Sequence, residues 1–366
     1  MNLEFFPSRT LTLYLARLFV TRIFAVLIML VLVLQVLDLL GESGDILAYK
    51  GNGQAQLMYY VTLRVPQLVA RFLPYSVLLA TIITLATLNQ NSEVISMKAS
   101  GLSAHQVLAP LVLTALGISV LSFAFNERVV TRSTARLDAW QAVNYGPIPP
   151  DSSPKANLYL ADGNDLLLAQ SLSGEGRTMT LHGVTYYLRD ANDMIVEEMR
   201  ADTATYAGAQ GWRLNKPVKF AVATTSTTQL ASATVAPGIT PAKIYVSKVD
   251  ADAQDIFALS GSISAVQRAG RRTTDLDAAW WHKLSGPLSS ALMPLLGAVA
   301  AFGLARSGAL LIRAVIGMAL GFAYFVFDNA ALAMGNFGGY PPLIAAWAPF
   351  MLFALIGETV LIRTEE

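Results

Sequence analysis

Two arginines seven residues apart are the side chains of this sequence best suited to contact an anion. Arg64 and Arg71 stand at the start of a long apolar run, and a spacing of seven places both on one face of a helix. A guanidinium group can form two parallel hydrogen bonds to a phosphate. The alternative is that both side chains extend to ordinary lipid headgroups.

Acidic residues suggest a second kind of chemistry. Asp38, Glu42 and Asp45 could form an acidic cluster at the membrane surface, as in an enzyme that acts on lipid headgroups. The cluster has no metal-ligand spacing and no neighbouring base. Asp328 is isolated in an apolar run. An ionisable group is costly there, so we expect it to pair with a neighbouring helix.

The motifs of common catalytic sites are absent from the sequence. It has no cysteine, which excludes disulfides, thiolate catalysis and cysteine-ligated zinc. It contains no GxxxxGK[ST], GxSxG or HExxH, so we expect no ATP hydrolysis by a P-loop. The net charge of +1 argues against a nucleic-acid surface, which needs a basic face. No catalytic residue, metal or cofactor is predicted, and the histidines show no ligand spacing: His105, His182 and His282.

The composition is that of a membrane protein. Hydrophobic residues make up 54% of the 366 residues and charged residues 14%, against about 25% charged in soluble domains. A membrane helix needs roughly 20 mostly apolar residues. We expect the first apolar run to remain in the mature protein, because no cleavage motif follows it. The sequence predicts six transmembrane helices, at Leu18–Leu40, Gln67–Leu88, Gln106–Phe125, Leu284–Ala305, Ala314–Leu332 and Leu343–Ile362.

The polar segment between the two groups of three helices predicts an inserted all-β domain. Short, partly alternating runs such as TMTLHGVTYYLRD are separated by Gly, Asp and Asn turn signals. They favour an antiparallel sandwich or jellyroll, with Leu181 and Tyr187 expected to face its interior. The predicted domains are 1–125 for helices one to three, 126–277 for the β domain and 278–366 for helices four to six.

Positive charges near the ends of the apolar runs predict the orientation in the membrane. Both termini are expected to be cytoplasmic and the β domain extracytoplasmic. Arg64 and Arg71 break the pattern, because they enter the second run from the opposite side. The arginines that support this orientation are Arg9, Arg17, Arg22, Arg306, Arg313 and Arg363.

The stretch NSEVISMKASGLS, residues 91–103, predicts a short cytoplasmic helix between the second and third apolar runs. Asn91 or Ser92 can cap it, and Glu93 suits the positive end of its dipole. Gly101 supplies the stop. The helix is either an interfacial connector or a docking site for a cytoplasmic partner, most simply a separate ATPase. Val94, Met97 and Gly101 would give it one small, apolar face.

Four stretches resemble the LptF/LptG family, the permease subunits of the lipopolysaccharide export transporter. NSEVISMKASGLS resembles the family's coupling helix, with the pattern Glu-x-x-x-Met-x-Ala-x-Gly. The other three are RVPQLVARFLPYSVLLATIITLATLNQ, WWHKLSGPLSSALMPLLGAVAAFG and GFAYFVFDNAALAMGNFGGYPPLIAAWAP. The resemblance covers essentially the whole chain, most specifically its membrane halves. Asp328 and the Pro341–Pro342 pair favour the LptG branch over the LptF branch.

The resemblance implies a non-catalytic subunit of an ABC transporter that takes lipopolysaccharide from the bacterial inner membrane. A paralogous LptF-type permease would face it, and a dimeric LptB-type ATPase would bind on the cytoplasmic side. An LptC-type single-span jellyroll protein would be a further partner. The β domain, a jellyroll in the periplasm, would pass the acyl chains to a periplasmic bridge.

The resemblance also implies two sites. Arg64 and Arg71 would hold the phosphates of lipid A, replacing lysines that family members often carry near the outer end of the first span. That region here has Gln35, Asp38 and Glu42 instead. The residues implied in ATPase coupling are Glu93, Val94, Met97, Ala99 and Gly101.

Two other functions stay open at this point. A lipoprotein-releasing or drug-exporting permease would also couple to a separate ATPase. A membrane enzyme that modifies lipids would use the acidic cluster and would work alone. Co-purification with partner subunits distinguishes a permease from an enzyme.

Overall fold

The protein is described by a computed structural model over residues 7–147, 152–153, 158–173, 178–190, 194–241, 244, 250–268, 272–301 and 310–365. Arg306 and the last four residues of the predicted fourth span lie outside these ranges. Within them, two groups of helices flank an antiparallel sheet. This order agrees with the expected combination of apolar helices and a β domain.

The first group of helices is continuous with a helical extension beyond the predicted third span. The third long helix runs on through one π-helical turn into a further helix, so the chain stays helical to residue 142. The elements are α1 (Arg9–Ala48), α2 (Gln54–Gln90), α3 (Glu93–Ala99), α4 (Ala104–Phe125), the π-helix (Asn126–Val130) and α5 (Thr131–Ala142).

The helix α1 buries a single stripe of side chains. Its buried residues stand mainly four apart, as expected for one face of a helix, while Phe24, Ile28 and Leu32 on the other side are exposed. The apolar stripe packs on α2, and the exposed face is available to lipid or to another protein. The stripe consists of Leu15, Phe19, Ile23, Leu27 and Val31.

The second group of helices packs against the first mainly through α7. Its elements are α6 (Ile256–Arg268), α7 (Thr274–Ala301), α8 (Leu310–Asn336) and α9 (Pro342–Glu365). Helix α7 contacts α2 and α4 as well as its neighbours in sequence, α8 and α9. Glycines permit close approach: a Cβ on Gly321 of α8 would lie 2.1 Å from Leu78 of α2, and one on Gly297 of α7 would lie 2.7 Å from Thr81. Gly321 therefore serves helix packing.

Five helices of the described residues are long and apolar enough to cross a membrane, so the predicted six are not confirmed. The predicted fourth span, Leu284–Ala305, is not among the five. It corresponds to α7, and the structure describes it only as far as residue 301, so this span is not tested over its full length. The five are Arg9–Ala48, Gln54–Gln90, Ala104–Gln141, Val315–Asn336 and Pro342–Arg363.

Over the described residues, the β region forms one antiparallel sheet of nine strands. The path runs β1–β3–β4–β5–β6–β9, with β2 also paired to β3, β7 paired to β5, and β8 paired to β7. The strands are β1 (Ser152–Ser153), β2 (Leu158–Asp162), β3 (Asp165–Ser173), β4 (Thr180–Arg189), β5 (Ile195–Tyr206), β6 (Trp212–Asn215), β7 (Val218–Ala221), β8 (Ser226–Gln229) and β9 (Ser232–Val235). This confirms the antiparallel β class.

One face of the sheet carries an apolar core. Along strand β4, the alternation of side chains between this face and the other is not regular. Leu181, Val184 and Tyr186 belong to this core, so the alternation of side chains shifts by one residue between 181 and 184. The cause is Gly183, which has φ +60° and interrupts the regular pairing of β3 with β4. The prediction was therefore right for Leu181 and wrong for Tyr187, which lies on the opposite face from Tyr186.

Candidate functional site

Arg64 lies on α2 at the centre of a hydrogen-bond network that joins three helices. Its Nη2 is 2.8 Å from Asp38 Oδ1 on α1, and its Nε donates to both Asp38 oxygens at 3.1 Å. Its Nη1 donates to Gln67 Oε1 at 2.7 Å, and Gln67 donates to Thr134 Oγ1 on α5 at 3.0 Å. The Tyr60 hydroxyl donates to Asp38 at 2.6 Å. The guanidinium group of Arg64 is thus committed to holding these helices together.

Arg71 is in a different situation, although it shares a helix face with Arg64. Its side chain is exposed, and it makes no hydrogen bond or ion pair with any residue in the described part of the chain. Of the two arginines in the predicted phosphate site, Arg71 is the one that is open to an external anion. Phosphate binding by the pair stays a prediction, and the geometry assigns different roles to its members.

A stripe of three further arginines lies on the helical extension beyond α4. Arg128, Arg132 and Arg136 stand four residues apart from the π-helix into α5, and all three are exposed. These residues follow Phe125, in the segment predicted to belong to the β domain, so they were not expected to lie on a helix. The signal was present in RVVTRSTAR, where arginine recurs at helical spacing. We call these three residues the arginine stripe.

A buried ion pair joins the π-helix to the second group of helices. Lys283 Nζ of α7 lies 3.2 Å from Glu127 Oε1, and the two side chains are only 6% and 11% exposed. The other carboxylate oxygen of Glu127 accepts a hydrogen bond from the backbone N–H of Ile256, the first residue of α6. The carboxylate of Glu127 therefore links the π-helix to both α6 and α7.

The residue next to Lys283 makes a second pair with another helix. His282 Nε2 on α7 is 3.0 Å from Asp328 Oδ2 on α8, and the Asp328 side chain is 11% exposed. The expectation that Asp328 pairs with a neighbouring helix is confirmed. His282 thus connects α7 to α8, and the neighbouring Lys283 connects α7 to the π-helix.

The acidic cluster is largely occupied by structural contacts. Asp38 is bound to Arg64 and Tyr60, and Glu42 accepts a hydrogen bond from the Tyr145 hydroxyl. Burial and this hydrogen bond raise the pKa of Tyr145 to about 12. These contacts give two of the three carboxylates a structural role and weaken the interpretation as an enzyme.

The short helix α3 is held by its ends and by two buried side chains. Gly101, at φ +91°, donates its N–H to Lys98 O, and Leu102 donates to Met97 O. These bonds form a Schellman motif, so the predicted stop is confirmed. Ser92 is the N-cap residue, one of the two predicted, but it adopts φ +61° and its side chain makes no capping hydrogen bond.

The predicted coupling residues divide between an inner and an outer face of α3. Val94 and Met97 are 7% and 8% exposed and pack into the membrane-helix core, so they anchor the helix. Ala99 and Gly101 are exposed, and so is Ile95, at 54%, which the sequence analysis did not select. A role of this helix in coupling stays a prediction.

Glu93 connects the short helix to α1. Its Oε2 accepts a hydrogen bond from the Tyr14 hydroxyl at 3.0 Å, and its charge lies close enough to Arg22 to interact with it. Glu93 is partly exposed. It can therefore both hold α3 on the bundle and present negative charge to a partner.

Comparison with known proteins identifies the family. A family model described as lipopolysaccharide export system permease LptF/LptG matches residues 13–363. The chain belongs to this family. It is 29% identical over 310 residues to the lipopolysaccharide export system permease protein LptG of Escherichia coli strain K12, which covers 83% of this chain and 84% of that protein. The LptG protein of Haemophilus influenzae is 24% identical over 306 residues, covering 82% and 84%.

Family membership and the five apolar helices together support a multi-pass inner-membrane protein. The family is one of permeases, in agreement with the absence of catalytic motifs from the sequence. The match extends over both helix groups and the sheet between them. The resemblance on which the sequence analysis relied is therefore confirmed.

Proposed function

We propose that this chain is an LptG-type permease subunit that extracts lipopolysaccharide from the inner membrane and passes it towards the outer membrane. The observation that carries this proposal is the family match over residues 13–363, which includes the membrane helices and the sheet in one chain. The LptG proteins of two bacteria, named as lipopolysaccharide export permeases, support it.

The orientation follows from the arginines of the helix ends. Both termini and α3 lie in the cytoplasm, and the sheet lies in the periplasm, where it forms a jellyroll. A dimeric LptB-type ATPase binds at α3 and hydrolyses ATP, since this sequence has no P-loop. A paralogous LptF-type permease and an LptC-type protein complete the assembly.

The lipid A phosphates are held by cations on α2 and on the helical extension beyond α4. Arg71, midway along α2, and the arginine stripe are exposed cations, and arginine is suited to bidentate contacts with phosphate. Arg64 supports the site indirectly, because its bonds to Asp38 and Gln67 fix α1, α2 and α5 relative to one another.

Single substitutions should separate these two roles. We expect Arg71→Gln to weaken loading of lipopolysaccharide about tenfold while the subunits still assemble, because a hydrogen bond to a charged group contributes about 1.5–3 kcal/mol. Arg64→Gln should instead lower thermal stability, since it leaves Asp38 without its cation. The measurements are co-purified lipopolysaccharide and the midpoint of thermal unfolding. If Arg71→Gln loads normally, Arg71 is an interfacial anchor only.

Photo-crosslinking tests whether the interior of the β domain carries acyl chains. A photoreactive residue at Leu181 or Tyr186, which belong to the apolar core, should trap lipopolysaccharide in an ATP-dependent way. Tyr187 is the matched control, because it is one residue away on the opposite face of β4. Equal lipid crosslinking from 186 and 187 would contradict an interior route, and crosslinks to protein alone would make the domain a docking module.

A further inference from the structure

An open pocket of about 420 Å³ lies where the α1–α2 turn meets the end of α5. Four of its ten lining residues are aromatic, and three others carry polar or charged side chains. This is the usual composition of a site for a small organic group. The side chains of its lining include Tyr49, Lys50, Gln56, Tyr59, Trp140 and Tyr145.

The rings of this pocket are held in fixed relative positions. Tyr59 and Trp140 meet edge to face with centroids 5.3 Å apart, and Trp140 and Tyr145 do the same at 5.0 Å. Trp140 and Tyr145 are buried, whereas Tyr49 and Tyr59 remain 39% and 43% exposed. The buried pair forms the base of the pocket, and the exposed pair presents ring surface to a ligand.

The wall of the pocket is built in an unusual backbone conformation. Asn144 and Tyr145 have φ of +50° and +60°, a region that residues other than glycine rarely adopt. Asn52 holds this turn in place, because its Nδ2 donates to Tyr145 O at 2.9 Å and to Ile46 O at 2.8 Å. A Cβ at Gly146 would lie 2.8 Å from the Tyr49 ring. Such strain persists where the surroundings determine it and is concentrated at functional sites.

The chemistry of the lining favours a sugar over a cation. Aromatic cages that bind ammonium groups act through the negative faces of their rings, but Lys50 places a positive charge in this lining. None of the described lining residues carries a negative charge, and Glu42, whose carboxylate accepts from the Tyr145 hydroxyl, is not among them. Sugar rings present C–H groups that stack on aromatic faces and hydroxyls that bond to amides such as that of Gln56. Lys50 suits an anionic substituent on the sugar.

The position of the pocket relates it to the arginine stripe. Trp140 follows Arg136 by four residues on α5, as Arg136 follows Arg132, so it lies about 6 Å farther along the helix. Because α5 continues α4 away from the apolar segment, this direction leads away from the hydrocarbon. A glycolipid whose phosphates contact the arginines would have its outer sugars at the level of the pocket.

We propose that this aromatic pocket binds a sugar ring, bearing an anionic group, of the core saccharide of lipopolysaccharide. The proposal rests on the proposed function. It assigns to the α1–α2 turn a contact with the saccharide, separate from the contacts that hold the lipid A phosphates.

The test compares two ligands on the complex purified with its partner subunits. Labelled lipopolysaccharide with its core saccharide and labelled lipid A without the core are bound to the parent and to Tyr59→Ala. Tyr59→Ala should weaken binding of the core-bearing ligand roughly two- to tenfold, the range expected for one aromatic contact, and leave lipid A unchanged. Lys50→Gln should have the same selectivity. Tyr340→Ala removes a ring of similar exposure, 44%, outside the pocket and should change neither.

The possible results separate the two proposals. If Tyr59→Ala and Lys50→Gln bind core-bearing lipopolysaccharide as the parent does, the pocket is not a saccharide site, and the proposed export function is unaffected. If both ligands weaken equally, the pocket acts on lipid loading or folding and the saccharide assignment is wrong. If the parent binds neither ligand, the export function itself fails, and the saccharide proposal fails with it.

Discussion

Replacing Lys283 with methionine is expected to lower the free energy of unfolding by about 3–5 kcal/mol. The substitution leaves Glu127 as a buried charge without its partner, the situation in which a broken ion pair costs most. The backbone N–H of Ile256 still donates to Glu127 but supplies no countercharge. In detergent, the midpoint of thermal unfolding should fall by roughly 4–6 °C, measured as loss of the monodisperse peak after heating.

Two further variants test the cause of that loss. The double variant Glu127→Gln with Lys283→Met removes both charges and should recover most of the stability, because no uncompensated charge remains. Lys219→Met breaks a similar pair with Glu197 that is more exposed, at 31% and 22%, and should cost no more than about 1 kcal/mol. If the double variant melts as low as Lys283→Met, the deficit comes from lost packing.

Reversing the charge of Glu93 is expected to reduce ATPase-driven transport at least tenfold. Glu93→Arg places a second cation beside Arg22 and changes the surface that α3 presents to the proposed ATPase. Ile95→Asp should act in the same direction, because Ile95 is the large apolar side chain that α3 exposes and a few anchor residues carry most of the binding energy of an interface. The measurements are the amount of co-purified ATPase and its stimulated turnover.

The control for this prediction is Tyr14→Phe. It removes the hydrogen bond that Tyr14 donates to Glu93 but keeps the charge and surface of α3. Coupling through Glu93 predicts near-normal turnover for Tyr14→Phe. Equal losses in Tyr14→Phe and Glu93→Arg would mean that Glu93 only fastens α3 to α1, and normal turnover in Glu93→Arg and Ile95→Asp would make α3 a connector.

Local sequence signals predicted the elements better than their ends. Gly101 ends α3 as expected, because a left-handed residue at this position suits glycine. The helix α1 runs from Arg9 to Ala48, well beyond the predicted Leu18–Leu40. Hydropathy marks what can lie in hydrocarbon, whereas a helix continues until the backbone is interrupted, here before Gly51.

The residues that organise the sites could not be paired from the sequence. Arg64 binds Asp38, which is 26 residues away in the sequence, and Lys283 binds Glu127, which is 156 residues away. Spacing shows which residues share a helix face but not which helices meet. The same limit explains the error at Tyr187, since alternation holds along a strand only until a residue such as Gly183 shifts it.

Purification of this chain from its own bacterium tests the central claim most directly. The membrane fraction is solubilised in mild detergent, the tagged full-length chain is captured, and its co-purifying proteins and lipids are identified by mass spectrometry. The account predicts a separate ATPase, a paralogous permease and lipopolysaccharide, with ATP turnover found only in the fraction that contains the ATPase. A chain that is recovered without an ATPase or lipopolysaccharide, and that modifies lipids alone, would contradict it.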